Sequence, residues 1–280
     1  MTLRVIAMNR RTLLRRWIPQ GIRDLLNFIG GYAIYYRGDY RDWVTARRAC
    51  DGYDESRLLT RLASAAHKVA TGKVVWEQDG VTWDHIPIDW PLSANLGYIA
   101  HIRQGYLRVL DFGGGFGSSF HQCRAFFGDA ITLDWGIVEQ PAMVEIARDG
   151  IESGALRFFL DIESAIERLR PDVALLSGVL QYLESPWEVL EQIIKSGIPF
   201  LIIDRHPCSL THELITVQVV PPSLYAASYP SWLFNCPHML KRLSEHYELL
   251  ASWDGKDPNI RGWGKGAEFK GFFFRRREGT

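Results

Sequence analysis

The most chemically pointed string in this chain is Asp111-Phe112-Gly113-Gly114-Gly115-Phe116-Gly117, an acid followed by glycines at alternate positions. It joins the apolar run RVLDF to the helical stretch SSFHQCRAFF, so it reads as a strand–turn–helix junction. Glycines permit a tight turn and let a ligand approach the backbone, while the start of the helix offers unpaired N–H groups. A dinucleotide fingerprint, G-x-G-x-x-G, would need its third glycine at position 118, where Ser118 stands.

Asp111 is the sharper discriminator. A carboxylate beside a pyrophosphate is unfavourable, whereas one beside an ammonium and a sulfonium is favourable; S-adenosylmethionine carries both. Glu139 ends the next strand candidate, TLDWGIVE, 24 residues after Gly115. A carboxylate there can accept two hydrogen bonds from a ribose diol, a service NAD would use equally. Asp161 follows strand LRFFL and has two readings, a partner for an adenine amino group or the N-cap of helix IESAIERL. Ser177-Gly178-Val179-Leu180-Gln181-Tyr182 follows strand DVALL, at the place expected to pass under a sulfonium and face an acceptor.

An alcohol acceptor needs a proton acceptor, for which His206, Asp204 and Tyr182 are the candidates. His206 follows the fifth strand candidate, FLIID, at the carboxyl edge of the sheet, either as a base or as a loop histidine with a structural hydrogen bond. Tyr182 either lies beside the methyl group or packs. His212, His238 and His246 lack acidic partners at ligand spacing, so no catalytic metal is expected.

These residues need a scaffold. From Arg108 to Arg205 apolar strands alternate with helical stretches, the pattern of a parallel sheet covered on both faces. Right-handed crossovers make it doubly wound. Two further strands, near Leu249 to Trp253 and EFKGFFFRRR, predict an antiparallel C-terminal edge hairpin. The expected whole is a Rossmann-like, mostly parallel, seven-stranded α/β sheet with an N-terminal helical extension. Its divisions are a basic extension over 1–37, a helical and hairpin cap over 38–107, and the binding domain over 108–280. Within the last, 206–236 is rich in Pro, Tyr and Ser and reads as a lid-like insertion; Tyr225, Tyr229, Trp232 and Phe234 either cover an acceptor or pack as core.

Composition narrows the partners. Lys+Arg and Asp+Glu balance at 32 each, so no global field favours nucleic acid. Residues 1–31 hold six arginines against Asp24, and 13–29 could form short amphipathic helices, broken near Pro19, that pack on the domain or rest on an anionic membrane surface. No stretch is long and apolar enough to span a membrane, and no signal peptide is evident, so a cytoplasmic location peripheral to the inner membrane at most is expected. Cys50, Cys123, Cys208 and Cys236 form no C-x-x-C pair and are expected to be reduced thiols.

At VLDFGGGFGSS, IVEQP, PDVALLSGVLQYLE, LIIDRHP, ITVQVVPPSLYAASYPSWLFN and FKGFFFRR the chain resembles class I S-adenosylmethionine-dependent methyltransferases. Within that class it is similar to a family of uncharacterised substrate often associated with bacterial surface-polysaccharide loci, over roughly Gly38 to Arg276. The resemblance implies S-adenosylmethionine as cofactor and contacts from Asp111, Gly113, Gly114, Gly115 and Glu139, with Asp161 and Ser177 beside them. It implies O-methylation of a small-molecule acceptor such as a sugar or a lipid-linked sugar. The alternative is a non-catalytic cofactor-binding or scaffold protein, favoured by the lack of an evident base. A dehydrogenase is disfavoured by Ser118 and the lack of a Tyr-x-x-x-Lys pair, and a nucleic-acid methyltransferase by SGVLQY in place of an Asn-Pro-Pro-Tyr sequence.

Overall fold

The computed structural model describes residues 34–52, 55–78, 80–222, 226–255 and 267–279, and of residues 55–58 only the backbone. The segment 13–29, expected to be amphipathic, and Tyr225 lie outside the described residues.

Seven strands form the main sheet: β4 (Tyr106–Phe112), β5 (Thr132–Val138), β6 (Leu156–Phe159), β7 (Val173–Ser177), β8 (Phe200–Ser209), β11 (Tyr247–Asp254) and β12 (Ala267–Arg276). They lie in the order β6-β5-β4-β7-β8-β12-β11, with β12 antiparallel to both neighbours and the rest parallel. The order reverses at β4, where the chain turns from one half of the sheet to the other, and ligands bind at the carboxyl edge of such switch points.

Strand periodicity sorts side chains to two cores. Leu107, Val109, Val173, Leu175 and Ile202 face one, packed under α2 (Glu55–Ala70), α3 (Trp90–Ile102), α4 (Ser118–Phe127) and α5 (Pro141–Arg148). Leu110, Ala174, Leu176, Leu201 and Ile203 face the other, under α6 (Ile162–Leu169), α7 (Pro186–Ser196) and α8 (Cys236–Leu243). Both faces are therefore apolar and covered, the physical reason for the unbroken apolar strands.

The segment ahead of β4 supplies the expected hairpin, β2 (Trp76–Gln78) with β3 (Val81–Trp83). Trp76 Nε1 donates to the Ser118 carbonyl at 3.1 Å, pinning this hairpin to the start of α4. Asp89 caps α3 by accepting from Leu92 N–H at 3.2 Å. The helix α1 (Trp43–Arg48) is likewise capped, by Asp42.

Of the expected insertion, 206–222 and 226–236 are described, and they are mostly strand rather than loop. Strand β8 continues through Ser209, and β9 (Leu214–Val220) and β10 (Ala227–Asn235) form a hairpin that β1 (Tyr35–Tyr40) joins on its outer edge. This antiparallel sheet hangs from β8 through Phe234 and Asn235 of β10, which pair in parallel with Cys208 and Ser209. Prolines in the segment suggested a lid, yet Pro230 is tolerated because β10 reaches β8 only at its end.

The thiol expectation is also corrected. Cys208 and Cys236 are disulfide-bonded with Cα atoms 5.3 Å apart, while Cys50 and Cys123 are free. The β8–β10 pairing brings the two together, and nothing in their 28-residue spacing announces it. Among the described residues no helix is long and apolar enough to cross a membrane.

Candidate active site

Asp111 sits at the end of β4, 1% exposed. Trp135 Nε1 donates to its Oδ2 at 3.1 Å. Burial pushes its pKa up to about 7 against that hydrogen bond, and the nearby Glu139 charge adds to the rise. An ionised acid in this position has no cationic side chain recorded against it among the described residues.

The glycine turn is fitted around this carboxyl. A Cβ on Gly114 would stand 2.5 Å from Asp111 Cγ, so only glycine leaves the acid in place. Gly113 takes φ +72° and would strike Val179 Cβ at 2.9 Å if it carried a side chain. Gly115, at φ +60°, has nothing within 4 Å of the position its Cβ would take, so its backbone borders open space. Both positive φ values are cheap only for glycine.

Glu139 closes the other side. Its Oε1 accepts from the Gly115 N–H at 3.2 Å and its Oε2 from the Gln140 N–H at 2.9 Å. Burial raises its pKa and those two bonds oppose the rise. The acid is thus aimed by the same turn that holds Asp111, across adjacent strands β4 and β5.

Asp161 caps α6, accepting from Ser164 N–H at 2.8 Å, and that bond lowers its pKa. This is one of its two readings at the level of sequence. Asp161→Ala is expected to cost about 1 kcal/mol of stability in urea denaturation, the usual worth of a cap, whereas Asp161→Ser should retain most of it.

Ser177 ends β7, and its Oγ donates to Asp204 Oδ2 at 3.4 Å. Asp204 also accepts from Trp253 Nε1 at 3.0 Å. Burial raises its pKa, and the Asp89 carboxylate raises it further, which places the cap of α3 near this strand end.

His206 is corrected from a loop residue to a buried strand residue. Opposite Gly271 the pairing of β8 with β12 slips, from Lys270↔His206 to Phe272↔Ile203, so Asp204 and Arg205 form a bulge with Arg205 at φ +51°. A bulge adds a residue and reverses which face the following side chain takes. His206 therefore joins the face of Ile203, its ring 4.4 Å from that of Phe234 and 1% exposed. Burial drives its pKa down to about 3, and Nε2 has no hydrogen-bond partner among the described residues. A ring so reluctant to hold a proton is a weak base.

Tyr182 ends a short 3-10 turn, Leu180–Tyr182, whose N–H bond to the Val179 carbonyl links it to the residue beneath Gly113. Its hydroxyl donates to Gln218 Oε1 at 3.0 Å, and its ring meets that of Tyr229 edge-on at 5.3 Å. Of the aromatic run, Trp232 packs on Trp43 and donates to the Leu183 carbonyl at 2.9 Å, while Phe234 is core.

Trp135 and Gln218 are site residues that the sequence reading did not single out. Trp135 carries a donor that burial obliges to find a partner. Gln218 and Thr216 interrupt the apolar run ITVQVV at alternate positions, which is the signal of a polar sheet face.

No family model and no curated protein matches the chain. Solved structures overlap loosely. The N-terminal domain of EvdMO1, crystallised in the presence of SAH and D-fucose, is 13% identical with a TM-score of 0.44, covering 80% of this chain and 98% of that one. Magnesium protoporphyrin IX methyltransferase (ChlM) from Synechocystis PCC 6803 is 12% identical with a TM-score of 0.41, covering 98% and 100%. CalS10, an amino pentose methyltransferase from Micromonospora echinaspora, is 14% identical with a TM-score of 0.41, covering 67% and 91%. At these values the overlap assigns neither cofactor nor acceptor to this chain.

Proposed function

We propose that the chain is an S-adenosylmethionine-dependent methyltransferase acting on a hydroxyl of a small-molecule acceptor. One observation carries this reading: a buried acid, Asp111, held at a glycine turn, whose one side-chain hydrogen-bond partner among the described residues is an indole N–H. Leaving that carboxylate ionised costs free energy until a cation approaches. A pyrophosphate would add a like charge there, which disfavours a dinucleotide.

The residues present fit the cofactor's chemistry. Gly115 offers open backbone, Asp111 an anion for an ammonium group, and Glu139 a fixed carboxylate for a ribose diol. Bound, the group supplies a methyl carbon made electrophilic by its sulfonium. The chain's own part is to orient, to exclude water and to present the acceptor oxygen in line. Val179, which lies against Gly113, and Tyr182, tied to Val179, flank the turn that the acceptor would approach.

The expected substrate class is a saccharide or lipid-linked saccharide, supported by the neutral, hydroxyl-rich sheet that flanks Tyr182. Incubation with methyl-tritiated S-adenosylmethionine and cell-envelope precursors should move label into the glycan or glycolipid fraction. If label stays on the cofactor at every pH while the cofactor binds, the protein is instead a non-catalytic binder.

A further inference from the structure

The face of the β1–β9–β10 sheet turned toward Tyr182 carries a row of three residues set directly opposite one another. Tyr36 pairs with Gln218 and Gln218 with Tyr229 across the strands. Their side chains meet: Tyr36 Oη donates to Gln218 Oε1 at 2.7 Å, and Gln218 Nε2 donates to Tyr229 Oη at 3.1 Å. Tyr182, from the turn after β7, brings a third hydroxyl to the same amide. Tyr36 and Gln218 are 5% and 4% exposed, whereas Tyr182 is 38% exposed, so the row opens at Tyr182.

The next row on this face is small and polar. Thr216 pairs with Ser231, donating its hydroxyl to the Ser231 carbonyl at 3.0 Å. Ser231 is fully buried and its Oγ has no hydrogen-bond partner among the described residues. Buried polar groups are normally paired, so this hydroxyl is a polar group that the described residues leave unsatisfied on this face. The alternating residues Leu214, Thr216, Gln218, Tyr229, Ser231 and Leu233 share this face, and none is charged.

We infer that this row, Tyr36–Gln218–Tyr229 with Tyr182 at its mouth, is the acceptor-binding floor and takes a neutral polyhydroxylated ring. The inference rests on the methyl-transfer reading. It deepens that reading by naming residues and ligand chemistry. Gln218 takes protons from Tyr36 and Tyr182 and gives one to Tyr229. At its open end the row therefore presents the Tyr182 hydroxyl, spent as a donor, and the Tyr229 hydroxyl, which accepts, a pair that suits vicinal hydroxyls that each donate and accept. Tyrosine rings add flat apolar surface for the C–H face of a sugar. The position is right for the reaction, since Tyr182 is tied to Val179, and Val179 lies against Gly113.

The test uses the full chain saturated with S-adenosylhomocysteine and a panel of methyl glycosides of glucose, galactose, fucose and rhamnose, read by saturation-transfer NMR. An octyl glucoside below its micelle concentration distinguishes a lipid-linked from a free sugar, tighter binding of the octyl form indicating the former. Saturable transfer to at least one glycoside is expected. Tyr182→Phe, which removes one half-exposed hydroxyl, and Gln218→Leu should each weaken it by tenfold or more. Affinity for S-adenosylhomocysteine should stay within twofold in both variants, which also shows that they fold. Glycoside binding unchanged in both variants would overturn the assignment of the floor. No transfer to any glycoside, with S-adenosylhomocysteine bound, would overturn the ligand class and leave the methyl-transfer reading standing. Failure to bind S-adenosylhomocysteine would sink both.

Discussion

Asp111→Asn is expected to make the ligand-free protein more stable at pH 8 and to weaken its binding of S-adenosylmethionine roughly 30- to 100-fold. The folded-state pKa of Asp111 is raised from 3.8 to about 7 by burial. Below 3.8 the carboxyl is protonated in both folded and unfolded chains. Between the two values the unfolded chain ionises and the folded one does not, so stability falls as pH rises and levels off above about 7. The penalty carried at pH 8 is on the order of 2–4 kcal/mol. Asparagine is neutral and retains an acceptor for Trp135 Nε1, so it escapes that penalty. Thermal melts of wild type and variant from pH 5 to pH 8 should diverge toward the alkaline end. Ligand binding runs the other way. A cation selects the ionised carboxylate, so wild-type affinity should fall toward tenfold per pH unit below about 7. The variant should bind roughly 30- to 100-fold more weakly, the worth of a charge-assisted hydrogen bond, with no such pH dependence. Equal melting curves at pH 8, with affinity intact, would mean that Asp111 is an ordinary core acid.

Gly114→Ala should be at least as damaging to binding and harmful to stability as well. The added methyl would lie 2.5 Å from Asp111 Cγ, and Asp111 is itself held by Trp135. Either the carboxyl swings away from the indole or the turn shifts, at about 1–3 kcal/mol for overpacking a close-fitted site. Calorimetry should show at least a 100-fold loss of affinity for S-adenosylmethionine. Gly115→Ala supplies the contrast. Its Cβ meets nothing within 4 Å, so its stability cost should be only the roughly 1 kcal/mol of a left-handed alanine. Affinity should still drop, because the methyl occupies the space where the ligand approaches. If Gly114→Ala binds like wild type, Asp111 is not a ligand-facing acid.

The parts of this molecule legible in its sequence are those specified locally. Strands β4 to β8 and their helices are written in short-range periodicity, and the turn 111–117 carries its own conformational demands. Asp111 and Glu139 come together because β4 and β5 are adjacent in chain and in space. What escaped is what depends on distant partners. Strand β1 contains Gly38 and Asp39, both poor strand residues, and becomes a strand only by pairing with β9 some 180 residues later. Without β1 and β10, the run ITVQVV has no visible partner, and the segment reads as a lid. The Cys208–Cys236 bond depends on the same assembly. His206 was misplaced by a single bulge. One extra residue at Asp204–Arg205 turns its ring from the ligand edge into the core beside Phe234, and strand patterning alone cannot register that.

The sharpest single measurement is a calorimetric titration of the purified chain at pH 8 with S-adenosylhomocysteine and, in parallel, with NAD. Stoichiometric binding of the first and silence from the second is the expected outcome. Binding of the pyrophosphate-bearing nucleotide, with none of the thioether, would show that the acid on β4 does not shape the ligand as described.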